Sequence, residues 1–336
     1  MNEYFTANGI LGLGALFNQV YSDRSDGKTF DIKYRGCQRF EKYGHVTVYM
    51  RRWKTEFTNV MIDTFLNEVQ RVYPKFKTWD IRSDKSGIQV KKDGYWRYAF
   101  YFIPLSVGNK LKSNIEPTDI REIDFDEYVP LDGRYCKDEM INLLEFWNSC
   151  DRQRGIVKLC TFGNKITGSN PFLNFFGVDL DLTQPKTRLY KDGQLAIQVY
   201  MNDIRRDTMA KNPFMKLVEG TIYEGYMKGD ILCGSPSNIK PKPENADLWS
   251  SFKTVNGEGT IWTYKDKWFI SDKQNKDVKF CVTDKPYMQD FKTELVASNV
   301  DVANLFRNVY RNSLMCFTSE KAFNLFEPII KLITLR

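Results

Sequence analysis

The sequence predicts an α+β fold, with antiparallel hairpin-built sheets and a helical C-terminus. Three observations carry that expectation. Two Asp-Gly pairs, Asp93-Gly94 and Asp192-Gly193, stand between strand-like runs, the strongest short-range hairpin pattern. Apolar residues at helical spacing run through the C-terminal segment. No strand–helix–strand rhythm is visible, so a doubly wound parallel sheet is not expected.

In chain order, MNEYFTANGILGLGALF lacks a basic n-region and its apolar stretch is broken by Gly9, Gly12 and Gly14. It reads as a first core segment, not a secretory leader. In HVTVYMRRW, Val46, Val48 and Met50 alternate with Thr47, Tyr49 and Arg51, which suits a half-buried strand. Residues 60–73 carry a helical stripe of Met61, Phe65, Leu66, Val69, Val72 and Tyr73. Thr58 or Asn59 can cap it and Pro74 stops it. GIQVKK and YWRYAFYF flank the first Asp-Gly turn, and TRLYK and QLAIQVYM the second. Between them, residues 137–150 place Met140, Leu143, Leu144 and Trp147 on one helix face. Residues 234–247, rich in proline and polar groups, read as a loop. Residues 260–271 look like a third hairpin turning at Lys265-Asp266, with a further strand over 277–282. A helix follows through Val302, Leu305, Phe306, Val309 and Tyr310. Ser319 then caps a short helix ending at Pro328, and the apolar IIKLITLR is expected to be buried. This suggests three regions: 1–150, basic α+β and ending in an acidic segment and a helix; 151–290, antiparallel and β-rich; and 291–336, helical.

A chain of 336 residues with 42% hydrophobic and 27% charged residues is globular. No apolar run approaches the ~20 residues needed to span a bilayer. The single histidine, His45, excludes two-histidine metal sites. Seven cysteines at wide spacing without CxxC (Cys37, Cys136, Cys150, Cys160, Cys233, Cys281 and Cys316) fit reduced, packed thiols in a reducing compartment or a virion.

Charge is segregated. Residues 33–97 hold fifteen Lys/Arg against seven Asp/Glu, whereas residues 115–140 hold nine acids against three bases. Such asymmetry concerns partners. In the basic third, Arg35, Arg39, Arg51, Arg52 and Lys54 interleave with Tyr49 and Trp53. Cations for phosphates and flat rings for bases make these the candidate residues for nucleic acid or a neighbouring subunit. The other account makes the rings core and the charges a solvated strand face. Asp124-Phe125-Asp126 reads as part of the acidic, solvated or interfacial face.

The segment FGNKITGSNPFLNFFGVDLDL, residues 162–182, resembles the signature of Pol β-type nucleotidyltransferases. Gly168-Ser169 precede Asp179-Leu180-Asp181, and the usual serine after Phe-Gly is Asn164 here. The resemblance implies that Asp179 and Asp181 hold Mg²⁺, that Gly168 and Ser169 approach nucleotide phosphates, and that Asp230, or Asp203 behind it, supplies a third carboxylate. Lys165-Ile166-Thr167-Gly168, with Glu258-Gly259 and Lys279, also resembles the nucleophile and metal motifs of RNA ligases. That would make Lys165 the nucleophile. No GxxxxGK(S/T) phosphate loop, GxGxxG, GxSxG or HExxH occurs.

These observations lead us to expect a non-enzymatic structural or assembly subunit, of the kind found in a phage or viral particle, working without a cofactor. Expected partners are other protein chains or copies of itself, with nucleic acid at the basic face. The alternative is a Mg²⁺-dependent nucleotidyltransferase acting on RNA or nucleotides.

Overall fold

The computed structural model describes residues 4–111, 115–130, 134–136, 138–165, 170–178, 180, 182, 184–210, 212–219, 239–275, 277–287, 294–312 and 314–334. The chain divides into two units, Met1–Ile166 with Asp181–Ile231, and Thr167–Leu180 with Leu232–Arg336.

In the first unit the strands are β1 (Phe17–Ser22), β2 (Val46–Arg51), β3 (Ile81–Asp84), β4 (Gly87–Lys92), β5 (Tyr95–Pro104), β6 (Ile120–Asp126), β7 (Lys158–Asn164), β8 (Lys186–Tyr190) and β9 (Leu195–Val199). The helices are α1 (Asn8–Leu11), α2 (Lys28–Tyr43), α3 (Asn59–Val72), α4 (Leu105–Leu111), α5 (Glu139–Asp151), α7 (Asp203–Ala210) and α8 (Pro213–Leu217); α6 (Pro171–Phe176) falls in the second unit. One nine-stranded sheet runs β3-β4-β5-β2-β6-β7-β1-β9-β8.

The α+β class stands, and both Asp-Gly hairpins form. They join β4 to β5 and β8 to β9 antiparallel, with Asp93, Gly94, Asp192 and Gly193 all at positive φ, as tight hairpin turns require. The centre of the sheet departs from expectation. β5, β2, β6, β7, β1 and β9 pair parallel, with one register shift, between Val46 and Thr47 of β2 against β6. The crossover that the sequence does not reveal is α2, which follows β1 directly and returns the chain to β2. Its basic and aromatic residues obscure the apolar stripe. Ile32, Cys37 and Phe40 nevertheless line one face and join the core with Phe65 and Val69 of α3 and Phe100 and Phe102 of β5. Gly36 lets α2 close on the sheet, since a Cβ there would meet the Phe100 ring at 2.3 Å. The parallel interior also explains β2. Val46 through Met50 are all buried, not alternately so, because both faces of the strand are covered.

Helix α3 begins where expected, Thr58 accepting from the Met61 amide at 3.1 Å, and Pro74 opens a 3₁₀ turn after it. The N-terminal segment enters the core through Phe5, Ala7, Ile10 and Ala15.

The second unit contains β10 (Asp247–Thr254), β11 (Gly257–Tyr264), β12 (Lys267–Ser271), β13 (Cys281–Thr283), β14 (Glu294–Val296) and β15 (Met315–Phe317), with helices α9 (Val300–Arg311) and α10 (Glu320–Thr334). Its sheet runs β14-β13-β10-β11-β12-β15. The third predicted hairpin is present as β11–β12. Phe306 of α9 and Phe326, Ile329 and Ile333 of α10 pack with Phe252, Ile261 and Ile270, so Ile329, Ile330 and Ile333 of the apolar C-terminal run are buried. Helix α10 does not stop at Pro328. Proline cannot donate to the carbonyl of Asn324, and the Asn256 side-chain amide donates to it instead, at 2.8 Å.

Six cysteines are free thiols; Cys233 lies outside the described residues. Among the described residues, no helix is long and apolar enough to cross a membrane.

Candidate phosphate-binding site

Strand β1 ends at Ser22, and α2 begins at Lys28. The connection is Ser22-Asp23-Arg24-Ser25-Asp26-Gly27-Lys28-Thr29, a phosphate-loop pattern in which serine stands at the first glycine position. That single difference takes it outside the strict consensus. Ser25 and Gly27 take positive φ, 62° and 96°, and turn the loop into the first turn of α2. Backbone amides at such a turn, with the positive end of the helix dipole behind them, form an anion cradle.

Three side chains meet at its floor. Lys28 is buried, and its Nζ donates to Ser22 Oγ at 2.8 Å, to the Asp23 carbonyl at 2.9 Å and to Asn164 Oδ1 at 3.0 Å. Burial lowers its pKa to about 8, against the pull of Asp26, Asp126 and Asp23. Thr29 Oγ1 donates to Asp126 Oδ2 at 2.8 Å. Asp126 is the last residue of β6, and it also accepts from Tyr49 Oη at 2.9 Å and, through Oδ1, from the Glu127 amide at 3.1 Å. Glu127 follows at positive φ, with its side chain 62% exposed and 2.5 Å from Arg51 Nη1. Parallel pairing places these groups together, because β7 lies between β6 and β1 and all three end at the same sheet edge. A cleft of about 1130 Å³ opens over them, with Arg24, Trp53 and Arg71 also on its walls.

This set suits a triphosphate with a divalent cation. Lys28 and the loop amides would face phosphate oxygens. Thr29 and Asp126, a hydroxyl and a carboxylate already aligned, are hard oxygen donors for Mg²⁺. The expectation of no cofactor is therefore corrected. Asp126, assigned from the sequence to a solvated or interfacial acidic face, is 2% exposed and central to the site, and Asp124 beside it is fully buried.

The candidate basic residues separate. Arg35 is 3% exposed and ion-paired with Asp31, Glu122 and Asp124, so it does not face solvent. Arg39 pairs with Glu122 from a partly exposed position. Arg52 is buried, gripping Glu139 through Nε and Nη2 at 2.8 Å each. Tyr49 is core, and Arg51 serves Glu127. Lys54 and Trp53 remain exposed. Asp179, Asp181, Asp230, Gly168 and Ser169 lie outside the described residues; Asp203 opens α7 at the surface. Asn164, which broke the transferase pattern, is the residue holding Lys28. Lys165 is no free nucleophile, since its Nζ lies 2.9 Å from Asp23 Oδ1 and both side chains are buried.

A β-strand, a phosphate-loop pattern and a helix, facing an acidic pair at a parallel strand end, give this unit the architecture of a phosphate-loop fold. The chain belongs to the family described as Podovirus DNA encapsidation protein (Gp16), whose profile matches residues 1–327. It is 28% identical over 267 residues to the DNA packaging protein of Bacillus phage phi29, covering 78% of this chain and 76% of that one. Among solved structures, it superposes on a chain of the bacteriophage phi29 genome packaging motor assembly with a TM-score of 0.73 at 21% identity, covering 99% and 100% of the two chains. The N-terminal domain of the phi29 DNA packaging ATPase matches 59% of this chain and 97% of its own length, with a TM-score of 0.51 at 25% identity. The expected phage assembly role stands in its coarse form, and membership of this family replaces the nucleotidyltransferase alternative.

Proposed function

We propose that this chain is the ATP-hydrolysing subunit of a phage DNA packaging motor, converting nucleotide turnover in its first unit into movement of DNA. The observation that carries the reading is the Thr29–Asp126 hydrogen bond beneath the loop that presents Lys28. It matches the pairing that phosphate-loop enzymes use to hold Mg²⁺. Mg²⁺, when bound, neutralises charge on the phosphates. The chain's own groups do the rest. Lys28 and the loop amides orient the triphosphate. Glu127, at the cleft and next to Asp126, takes the proton of the attacking water. Arg51 positions the Glu127 carboxylate. Protein partners and DNA follow from this reading, since the similar phi29 chain belongs to a motor assembly.

The test is phosphate release from ATP by the purified chain, with and without Mg²⁺ and DNA. Expected is Mg²⁺-dependent hydrolysis that Glu127→Gln abolishes while nucleotide binding persists. A folded parent that binds neither ATP nor ADP at millimolar concentration would overturn the assignment.

A further inference from the structure

The loop that should receive a triphosphate carries two carboxylates of its own, Asp23 and Asp26. Each opposes the charge of a nucleotide. Asp26 is 2% exposed, and burial raises its carboxyl pKa, easing its charge from within. Asp23 is handled from outside the loop. Lys165, the residue after β7, reaches back so that Nζ and Asp23 Oδ1 lie 2.9 Å apart, with side chains 1% and 4% exposed. Its backbone amide also donates to the Ser22 carbonyl at 3.0 Å, continuing the β1–β7 ladder into the loop. Asn164, the residue before it, holds Lys28. Two successive residues at the end of β7 therefore grip the first residues of the loop and its lysine.

We infer that Lys165 is a positioning residue for nucleotide binding, neutralising Asp23 inside the phosphate loop and fixing the loop against β7. This rests on the nucleotide reading above and deepens it. A carboxylate and an ammonium buried together are tolerated, whereas either alone is a buried uncompensated charge. If Lys165 were removed, Asp23 would stand as a buried, uncompensated carboxylate beside the incoming phosphates. The cost falls on binding more than on the chemical step, because neither group is among those assigned to water or the departing phosphate. Neutralising Asp23 should then suppress the loss of Lys165. Once Asp23 is neutral, Lys165 has no charge to offset.

The experiment measures the Kd of ADP by calorimetry, together with KM and kcat for Mg·ATP, in the parent, Lys165→Met, Lys165→Arg, Asp23→Asn and the Asp23→Asn/Lys165→Met double variant. Expected for Lys165→Met is a rise of about tenfold or more in Kd and KM, with kcat changed less than about threefold, the pattern of lost uniform binding. Lys165→Arg and the double variant should return to within about threefold of the parent. Circular dichroism and thermal melting establish that each variant folds. A folded Lys165→Met that binds ADP like the parent overturns the inference while leaving the nucleotide reading intact. So does a folded double variant as weak as the single one, which also decides the matter if Lys165→Met does not fold. A parent that binds no nucleotide removes both readings together.

Discussion

The Thr29 hydroxyl donates to Asp126 Oδ2 at 2.8 Å across 97 residues of sequence. The bond joins the first turn of α2 to the end of β6, and it exists because β7 inserts between β6 and β1 and brings both strand ends to one edge. Thr29→Ala and Asp126→Asn should each lower Mg²⁺-dependent hydrolysis by about a hundredfold or more, since each removes a hard oxygen ligand or its charge. A Mg²⁺ titration of phosphate release distinguishes this from general damage. Both variants should need more Mg²⁺ for half-maximal rate, and an unchanged Mg²⁺ requirement would count against the assignment.

Lys28 gives a second prediction, with a sign. Burial lowers its pKa from 10.5 to about 8. Between those values the unfolded chain holds the proton and the folded chain has released it, so this group makes stability rise with pH from about 8 to 10.5. Below about 8 both states are charged, and the folded state carries the full cost of burying the ammonium. Lys28→Met should therefore melt above the nucleotide-free parent at pH 7 while losing hydrolysis. The gap should shrink as pH rises through that window. Melting curves of both proteins at pH 7, 8.5 and 10 test it; a gap that stays constant or widens contradicts it.

Much of the periphery was legible in the sequence. The hairpins at Asp93-Gly94 and Asp192-Gly193, the Thr58 cap and the buried C-terminal run all depend on local chemistry that one stretch of chain contains. The centre was not. β2 looked half-buried because Thr47, Tyr49 and Arg51 are polar, yet Thr47 and Tyr49 are buried beside Phe100, Glu122, Phe102 and Asp124 of the flanking parallel strands. The basic residues of α2 looked like a surface because nothing in the sequence reveals that Arg35 meets Glu122 and Asp124, more than eighty positions away. A single residue hid the site. Ser22 stands where the phosphate-loop pattern has its first glycine, while Gly27-Lys28-Thr29 and the acidic stretch through Asp124, Asp126 and Glu127 were both in view.

The basic residues expected to meet nucleic acid or a neighbouring subunit fall into two groups. Arg35 and Arg52 are committed to buried carboxylates, whereas Lys54 is exposed. If this face meets DNA, Lys54→Gln should flatten the dependence of log K on log salt by about 0.9 for each phosphate the side chain no longer neutralises. Arg35→Gln should leave that slope unchanged. Filter binding from low to moderate salt reads both, and a flattened slope in Arg35→Gln at unchanged stability would return that residue to the surface.

Arg35 should instead govern stability. Its Nε lies 2.7 Å from Asp31 Oδ2, Nη2 lies 3.4 Å from Asp124 Oδ1, and Nη1 bonds Glu122, with all four side chains buried. Burial opposes its charge, yet Asp124 and Asp31 hold its proton more tightly than in water. Arg35→Met removes the cation and leaves three carboxylates without it, a change that costs about 3–5 kcal/mol when a buried pair is broken from one side. The loss should depend on pH. Burial already raises the Asp124 pKa, and Arg35 restrains that rise. Without Arg35 the folded carboxyl keeps its proton to higher pH than the unfolded one. The folded state then binds more protons, and stability falls as pH rises through the widened window. Urea unfolding of parent and variant at pH 5 and pH 8 should therefore show a larger deficit at pH 8. An equal deficit at both values would mean that Arg35 contributes packing alone, and that the carboxylates linking α2 to β6 are held by other groups.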